Sequence, residues 1–523
     1  MGLPESLEGL LHAQAYPHPV EEVELIETHI SWVLLAGEFA YKIKRPVCHT
    51  FLDLRSLERR RFLCEEEMRL NIRFAPELYL QTCPITLTGR EVRIGGSGEA
   101  IETAVKMRRF DSCALLDSLL ERGGVAPELL RAFGRELAQI HDRLPRLDRL
   151  PDVWPAAGDT ILRNAQECAG AAEIFGDGKS VRLLAHSLEA RIKEAHDWMA
   201  ERLHGGKVRE CHGDLHAGNM IRWADRLVAF DCLEFDPVLR HIDVADEIAF
   251  LLSDLEARGC ARHAQAFLGG YLAESADYEA CRHLPLYRAH RALVRAKVIA
   301  LRAAEASSGT DTTARLHRSF QARLDCATRC LCAPRPVLVL MSGLSGSGKT
   351  WLAQRLAPAL GAVHLRSDVE RKRLAHLPEL ASSGSSVGQG LYSDEQTARV
   401  YRFLESAADA TLHGGYPTIV DATFGRREER RSFQHLASRL GIPVCVVWCE
   451  APLEILEARL TQRARSGSDA SEASPSVLRW QLQRHEPIGQ DEALTVFNVS
   501  SAAAAASGQL LEQIRSLQSS PGS

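Results

Sequence analysis

The run from Gly343 to Thr350, Gly-Leu-Ser-Gly-Ser-Gly-Lys-Thr, has the residue types and the spacing of a phosphate-binding loop. Its glycines let backbone N–H groups converge on phosphate oxygens, and a helix that begins at the loop adds positive potential. We expect Lys349 to contact the β- and γ-phosphates of ATP and Thr350 to coordinate Mg²⁺. The predicted nucleotide-binding residues are Gly343, Leu344, Ser345, Gly346, Ser347, Gly348, Lys349 and Thr350.

Two acids downstream of this loop could complete a reaction centre. Asp368 follows the second predicted strand of this region, and Asp421 ends another. Asp368 could instead cap a helix, because an aspartate just before a helix is a good N-cap. We assign Asp421 to the substrate site, with water-mediated binding of Mg²⁺ as the alternative.

This pattern resembles the small P-loop kinases related to phage polynucleotide kinase, zeta toxins and chloramphenicol phosphotransferase. The resemblance implies that Asp368 is the catalytic base and that Arg371 contacts the substrate. It also implies a mobile lid whose arginine, Arg463 or Arg465, stabilises charge on the transferring phosphoryl group. The alternative is that these arginines form surface ion pairs.

A second set of chemically useful residues lies in Cys211-His-Gly-Asp-Leu-His-Ala-Gly-Asn219, and Asp231 ends the apolar run that follows. Kinase chemistry uses one aspartate to orient the attacking hydroxyl, and an asparagine with a second aspartate to hold Mg²⁺. Required residues at the right spacing rarely coincide by chance. The sequence therefore predicts a second phosphotransfer site.

This second set resembles aminoglycoside phosphotransferases and the related choline and fructosamine kinases, which share the protein-kinase fold. The resemblance implies that Asp214 is the catalytic base, with His212 as a structural partner that orients the loop. It implies that Asn219 and Asp231 bind the metal.

The same resemblance implies an ATP-anchoring lysine and a glutamate partner earlier in the chain. Lys42 is the best candidate for the lysine, and Lys44 stays open because residues i and i+2 of a strand share a face. Glu67 is preferred as the partner over Glu65 and Glu66.

The elements that must position these residues are visible in the hydrophobic pattern. A hairpin is predicted from Val23 to Leu35 and from Phe39 to Lys44, with its turn at Ala36-Gly37-Glu38, and a helix from about Leu54 to Arg73. After Pro336, strand-like and helical segments alternate, which predicts a parallel sheet with crossover helices.

The predicted architecture has two domains. Residues 1–332 form an α+β protein-kinase-like (aminoglycoside phosphotransferase-like) domain, and residues 333–523 form an α/β P-loop NTPase domain with a parallel sheet and a low-complexity C-terminal tail. The boundary is placed at Cys332-Ala-Pro-Arg-Pro336, because prolines cannot continue a helix. The combination resembles bacterial proteins described as bifunctional aminoglycoside phosphotransferase/ATP-binding proteins.

Composition narrows the class of protein. No apolar run is long enough to span a membrane, and the N-terminus lacks the basic and apolar segments of a secretory signal, so we expect a cytoplasmic protein. The 14 cysteines lack the spaced pairs of a metal site and are expected to be reduced. The net charge of -5 gives no general signature of nucleic-acid binding.

These observations predict an ATP- and Mg²⁺-dependent phosphotransferase whose two kinase-like sites act on hydroxyl groups of small molecules. One alternative is a regulatory protein in which one domain senses nucleotide and gates the other. Another is a polynucleotide or toxin-like kinase in the C-terminal domain. The basic residues between Cys281 and Arg302 favour an anionic substrate if they face a cleft, and no particular substrate if they form an outer helix face.

Overall fold

In the computed structural model, the described residues are 2–49, 52–151, 153–305, 310–332, 334–381, 383, 389–466, 470–500 and 506–519. They divide into two units, one formed by Met1–Cys260 with His290–Leu324 and the other by Ala261–Ala289 with Asp325–Ser523. The units interleave along the chain, whereas the domains predicted from the sequence are contiguous. The predicted boundary between residues 332 and 333 stays a prediction.

The first unit is built on an antiparallel sheet. Its strands β1 to β12 are Val23–Glu27, Ser31–Ala36, Phe39–Lys44, Cys48–His49, Leu52–Asp53, Tyr79–Thr88, Glu91–Ile94, Glu99–Arg108, Val208–Glu210, Met220–Trp223, Arg226–Ala229 and His241–Asp243. Within the described residues, six of them form one sheet in the order β1-β2-β3-β8-β6-β7. The short strands β10 and β11 form a separate antiparallel pair.

The first three strands form a meander that ends in the two candidate lysines. The single strand predicted from Val23 to Leu35 is wrong, because the chain turns between Thr28 and Ser31, where the Thr28 hydroxyl accepts the Ser31 N–H at 2.9 Å. The predicted turn at Gly37 is confirmed. Gly37 has a φ of 58°, and a Cβ there would lie only 2.9 Å from the Pro19 carbonyl oxygen.

Helix α1 packs on this sheet, and further helices form most of the remaining first unit. Helices α1 to α7 are Leu57–Asn71, Leu116–Glu121, Pro127–Arg143, Ala157–Ala171, Gly178–His204, Pro237–Arg240 and Val244–Ala257. Helix α8 is Ala261–Ser275, and α9 (Leu284–Glu305) and α10 (Thr310–Leu331) each contribute residues to both units. The Ser56 hydroxyl caps α1 by accepting the Arg59 N–H at 3.2 Å, and the helix buries Glu67 together with Leu63 and Cys64.

The second unit contains the predicted parallel sheet. Strands β13 to β17 are Leu338–Ser342, Val363–Arg366, Thr418–Asp421, Val444–Glu450 and Thr495–Ser500. In the described part of this unit they form one sheet in the order β14-β15-β13-β16-β17, in which neighbouring strands are parallel. All residues of β13 are buried, as expected for a central strand covered on both faces.

Helices connect these strands and cover the sheet. Helices α11 to α17 are Lys349–Leu360, Ser367–Leu374, Asp394–His413, Arg427–Leu440, Leu453–Ser466, Pro475–Arg484 and Ala506–Ser519. The loops after β13, β14 and β15 leave the carboxyl edge of the sheet, where ligands of open α/β sheets bind. None of the helices in the described ranges is long and apolar enough to cross a membrane.

A buried arginine fixes the loop that follows β15. Arg430 is fully buried and forms a bidentate ion pair with Glu492. Its Nε donates to Glu492 Oε2 at 2.8 Å, and one terminal nitrogen donates to Glu492 Oε1 at 2.7 Å. Its remaining terminal nitrogen donates to the carbonyl oxygens of Phe424, at 2.9 Å, and Glu486, at 3.1 Å. Phe424 has a φ of 47°, which is rare for a bulky residue, so Arg430 holds a strained turn just beyond Asp421.

We expect Arg430→Met to lower the free energy of unfolding of the second unit by about 3–5 kcal/mol, because it leaves the buried Glu492 carboxylate without its counter-charge. Urea unfolding of the protein, monitored by the hydrogen exchange of peptides from β15, measures this change in the free energy of unfolding. The control is Arg439→Met, whose exposed ion pair with Asp409 should contribute less than about 1 kcal/mol. Equal effects of the two substitutions would contradict the assignment.

Candidate active sites

The phosphate-binding loop has the conformation that its glycines predict. Gly343, Gly346 and Gly348 have φ values of 132°, 86° and 91°, a region that side chains with a Cβ rarely adopt. A Cβ on Gly343 would lie 2.3 Å from the Cys449 carbonyl oxygen. Gly348 is the N-cap of α11, so the loop leads directly into a helix N-terminus.

Lys349 folds back onto this loop. Its ammonium group donates to the carbonyl oxygens of Gly343, at 2.8 Å, and Leu344, at 3.0 Å. Burial lowers the pKa of Lys349 below its ordinary value, although the nearby Asp421 carboxylate acts in the opposite direction. The lysine therefore lies inside the loop, where a phosphate group could replace the carbonyl oxygens as its partner.

Asp421 lies beside the predicted magnesium ligand. The Thr350 hydroxyl is near enough to its carboxylate to lower the pKa of Asp421, and His364 Nε2 lies 3.2 Å from Asp421 Oδ2. Burial raises the pKa of Asp421, but His364, Lys349 and Thr350 together lower it below its ordinary value. Asp421 thus lies near Thr350, the residue predicted to coordinate Mg²⁺, and its assignment to the substrate or to Mg²⁺ stays a prediction. His364 was not singled out from the sequence, because only the neighbouring strand gives it a partner.

Asp368 and Arg371 line the same cleft as Lys349 and Asp421, a cleft of about 370 Å³. Helix α12 begins after Arg366, so Asp368 lies in its first turn and is not the N-cap. Because residues i and i+3 share a helix face, Asp368 and Arg371 point to the same side of α12.

The Arg371 guanidinium is largely buried, and not all of its N–H groups have a hydrogen-bond partner among the described residues. One terminal nitrogen donates to the Leu391 carbonyl oxygen at 2.8 Å and to the Thr397 hydroxyl at 3.2 Å. Arg371 Nε is buried and lacks a hydrogen-bond partner within the described structure. A buried N–H without a partner is costly, so this atom is a candidate contact for a bound oxygen group.

Helices α15 and α16 contribute further groups to the loop. Arg463 lines the cleft, and its charge helps to lower the pKa of Lys349. The Arg465 side chain, the other predicted lid residue, lies outside the described residues. Arg459 donates to the Gly346 carbonyl oxygen at 3.1 Å, and Gln481 accepts the Ser345 N–H at 3.0 Å. Gln481 belongs to no sequence motif and was not predicted.

In the first unit, Lys42 connects the predicted nucleotide residues. Its ammonium group donates to Glu67 Oε1 at 2.8 Å and to Asp231 Oδ1 at 2.5 Å. Although burial lowers the pKa of Lys42, the two carboxylates raise it well above its ordinary value. Strand β3 and helix α1 therefore bring Lys42 and Glu67 together as predicted, next to the predicted metal ligand Asp231.

Lys44 is buried more deeply than Lys42 and contacts the other oxygen of Glu67. Its side chain is fully buried and donates to Glu67 Oε2 at 2.5 Å and to Glu234. Lys44 has no exposed surface, whereas 12% of the Lys42 side chain is exposed. Burial raises the pKa of Glu67, but Lys42 and Lys44 together lower it to about 2. Among Glu65, Glu66 and Glu67, only Glu67 is buried.

Asp231 is held in an unusual backbone conformation. Its φ is 65°, in the left-handed region that a non-glycine residue adopts at a cost, often at functional sites. The Asp231 N–H donates to the Tyr79 hydroxyl at 3.1 Å, and the next N–H, of Cys232, donates to Asn71 Oδ1 at 2.9 Å. Tyr79 and Asn71 thus fix the predicted metal ligand, and neither belongs to a motif.

The loop between β9 and β10 brings Asp214 and Asn219 together. Asn219 Nδ2 donates to Asp214 Oδ2 at 3.0 Å, and His216 Nε2 lies 3.4 Å from the same oxygen. Burial raises the pKa of Asp214, but His216 outweighs it, so the carboxyl is held well below its usual range. An ionised Asp214 can accept a hydrogen bond from an attacking hydroxyl.

Buried partners hold the backbone of this loop. The Glu247 carboxylate accepts the N–H groups of His212, at 2.9 Å, and Gly213, at 3.1 Å. His212 Nε2 donates to the Phe230 carbonyl oxygen at 2.9 Å, and its Nδ1 accepts the Asp214 N–H at 3.3 Å. These bonds require neutral imidazole, and burial lowers the pKa of His212 to about 4. The predicted loop-orienting contact of His212 is thus present.

Two of the basic residues on α9 have acidic partners within the first unit. Arg291 binds Asp246 with two hydrogen bonds of 2.7 and 2.8 Å. Lys297 binds Asn164 and Glu167, each at 2.7 Å. These two cations are neutralised by the protein, so they give no support to an anionic substrate.

We expect His212 to make the first unit acid-sensitive. Its folded-state pKa of about 4 lies below the ordinary value of 6.5, so its contribution to stability is complete above pH 6.5 and is lost as the pH falls towards 4. The loss amounts to about 3 kcal/mol. Urea unfolding of the protein at pH 7 and at pH 4, monitored by the hydrogen exchange of peptides from β10, measures this loss of stability.

His212→Gln removes the titrating group, and we expect this variant to lose about 3 kcal/mol less than the parent between these two pH values. The control is His186→Gln, at an exposed histidine of α5, which should keep the parent's pH dependence. An identical pH dependence for His212→Gln and the parent would rule out this role.

Comparison with known proteins agrees with this two-part fold. Residues 338–488 match a family model described as "AAA domain". Over 460 residues the chain is 30% identical to "Uncharacterized protein Rv2004c" of Mycobacterium tuberculosis, a match that covers 87% of this chain and 89% of the relative. "Uncharacterized protein Mb2027c" of Mycobacterium bovis matches with the same identity and the same coverage.

Solved structures are similar to each part separately. A choline kinase from Cryptosporidium parvum is 11% identical, covers 60% of this chain and 90% of its own, and has a TM-score of 0.38. A sugar kinase from Janibacter sp. is 22% identical, covers 35% of this chain and 94% of its own, and has a TM-score of 0.27.

The predicted fold class is confirmed: an α+β region built on an antiparallel sheet precedes a P-loop region with a five-stranded parallel sheet in the described residues. The predicted resemblance to fusions of these two kinds of domain is also confirmed. The chain belongs to the family that includes these mycobacterial proteins.

Proposed function

We propose that this protein is an ATP- and Mg²⁺-dependent phosphotransferase with two kinase-like centres, each acting on a hydroxyl group of a small molecule. One observation carries the proposal. In each unit, residues far apart in the sequence come together in the combination that phosphoryl transfer requires. Lys42 meets Glu67 and Asp231 in the first unit, and Lys349 and Thr350 meet Asp421 in the second.

The donor set of the first centre fits a nucleotide with Mg²⁺. Asp231 offers a carboxylate, and Asn219 uses its amide nitrogen on Asp214, so its amide oxygen is the atom left to coordinate a metal. Such oxygens are the ligands that Mg²⁺ prefers. Lys42 would neutralise phosphate charge, while Asp214 would accept a hydrogen bond from the acceptor hydroxyl and aim it at the phosphate.

The second centre fits the same chemistry with a different scaffold. The loop around Gly346 presents backbone N–H groups at the N-terminus of α11, and Lys349 can turn from the loop carbonyls to the phosphates. Thr350 and Asp421 would hold Mg²⁺, which supplies charge neutralisation during transfer. Asp368 would take the proton of the acceptor hydroxyl.

The remaining predicted roles at this centre concern charge. Arg371 would contact the acceptor through its unpartnered Nε–H, which favours an acceptor with an oxygen that can accept this hydrogen bond. Arg463, with Arg465 as the predicted alternative, would stabilise negative charge on the transferring group.

We expect Asp214→Asn and Lys349→Ala to remove two separable activities. The parent, incubated with ATP, Mg²⁺ and a metabolite extract, should add one phosphate to acceptors detected by mass spectrometry. Asp214→Asn should lower one of the rates by about 10²–10⁴-fold, the size of a general-base contribution. Lys349→Ala should lower the other by about 10²–10³-fold, because a preorganised charge is lost.

Each variant serves as the control for the other, since each should leave the second activity intact. Asp225→Asn, at an exposed turn between β10 and β11, is the matched control for Asp214→Asn. The proposal fails if both site variants phosphorylate every acceptor at the parent's rate.

The two lysines of β3 should differ in their effects. Lys42→Met is expected to lower the rate of the first centre by about 10²–10³-fold, through the loss of a charge at the phosphates. Lys44→Met is expected to lower the free energy of unfolding of the first unit by about 3–5 kcal/mol, because Glu67 and Glu234 stay buried with less counter-charge.

Chemical denaturation and acceptor phosphorylation, measured on both variants, separate the two roles. The control is Lys193→Met, which removes an exposed ion pair with Glu189 and should cost less than about 1 kcal/mol. If Lys44→Met is as stable as this control, Lys44 does not have the role assigned to it.

A further inference from the structure

Helix α12 carries Asp368 and Arg371 but is too short to be stable alone. It has eight residues, about two turns, and isolated helices of this length are not stable in water. Its position must therefore come from side chains that pack on it. Asp368 and Arg371 face the cleft, whereas Glu370 and Arg373 lie on the opposite side, since 100° per residue places positions 368 and 370 about 200° apart.

The side of α12 away from the cleft meets a buried polar cluster. Glu370 is almost fully buried, and its Oε1 accepts a hydrogen bond of 2.8 Å from the Tyr278 hydroxyl. Its other carboxylate oxygen pairs with Arg373, which also donates to the Ala273 carbonyl oxygen. Burial raises the pKa of Glu370, so its hydrogen-bond partners matter to the stability of this contact.

Ala273 and Tyr278 belong to the segment Ala261–Ala289, which precedes the rest of the second unit by a long stretch of sequence. The segment is anchored elsewhere in this unit as well. Gln265 Nε2 donates to the Ala362 carbonyl oxygen, next to β14, at 2.6 Å. A Cβ on Gly414 would lie 1.9 Å from the Cys281 carbonyl oxygen, so glycine permits this close approach at the end of α13.

We propose that Tyr278 is a positioning residue of the P-loop centre: its hydroxyl, acting through Glu370, sets the place of α12 and with it the places of Asp368 and Arg371. This inference rests on the proposed function of that centre. A hydrogen bond to a buried carboxylate is directional and strong enough to fix one face of a two-turn helix. A displacement of about 1 Å at reacting groups can cost about 10²-fold in rate.

The test uses the full chain with Asp214→Asn, so that the first centre does not contribute to ATP turnover. Water serves as the acceptor, and hydrolysis of radiolabelled ATP reports the rate of the P-loop centre. Tyr278→Phe removes only the hydroxyl group. We expect a fall in the hydrolysis rate of about 10- to 100-fold, with unchanged affinity for a non-hydrolysable ATP analogue by calorimetry.

Hydrogen exchange gives a readout that needs no activity. Peptides that cover Ser367–Leu374 should exchange faster in Tyr278→Phe, while peptides of the phosphate-binding loop should not. The matched control is Tyr416→Phe, which removes the hydroxyl that accepts a 2.9 Å hydrogen bond from Arg288 of the same segment but does not touch α12 in that bond. Glu370→Gln completes a double-mutant cycle, in which the two substitutions should be strongly non-additive.

Unchanged exchange of α12 in Tyr278→Phe, relative to Tyr416→Phe, would overturn the inference. Faster exchange without a lower hydrolysis rate would also overturn it, because the contact would then be structural only. A parent whose P-loop centre does not bind the ATP analogue would contradict the proposed function of that centre. The exchange result would then decide whether Tyr278 fixes α12.

Discussion

An ionised carboxylate that is buried away from water needs a group of opposite charge as its partner, and Glu67 is paired with two lysines. Each of its oxygens accepts a hydrogen bond from one of them, Lys42 on the side of Asp231 and Lys44 on the side of Glu234. An unpaired charge at such a site would cost several kcal/mol, so β3, α1 and the loop after β11 are held in one arrangement. The ATP-anchoring geometry proposed for the first unit depends on this arrangement.

In the second unit, which has a different fold, buried charges are also paired. A parallel sheet brings the ends of β13, β14 and β15 to one edge, and buried ion pairs hold the turns that leave that edge. Arg430 with Glu492 fixes the turn after Asp421, and Glu370 with Tyr278 and Arg373 fixes the helix that carries Asp368. In both units the groups proposed to react lie at the ends of short elements, and fully buried charges locate those elements.

Local sequence was sufficient for the motifs and for the class of each fold. The loop from Gly343 to Thr350 could be predicted because its glycines, its lysine and the helix that follows are adjacent in the chain. The set around Asp214 was also predictable, since fixed spacing places Asn219 against it. Strand periodicity placed Lys42 and Lys44 on one face, so the sequence favoured Lys42 but could not exclude Lys44. The two differ in how deeply their side chains are buried, which only the fold determines.

Contacts between distant segments were not predictable from the sequence. Tyr79 and Asn71 support the predicted metal ligand Asp231, and His364 contacts Asp421, yet each meets its partner only in the folded chain. The assignment of Ala261–Ala289 to the second unit has the same origin. Gly259 marks the end of α7, but a helix end does not say which unit the next segment joins, and only packing shows where it belongs. Asp368 was open to interpretation as a cap, and the observed start of α12 after Arg366 decides that question.

We have proposed that one chain holds two nucleotide centres of different folds. Isothermal calorimetry of the intact protein with a non-hydrolysable ATP analogue and Mg²⁺ counts these centres. We expect two sites per chain in the parent, one site in Lys349→Ala, and one site in Lys42→Met. A parent that binds a single equivalent, or a Lys349→Ala variant that still binds two, would rule out this arrangement.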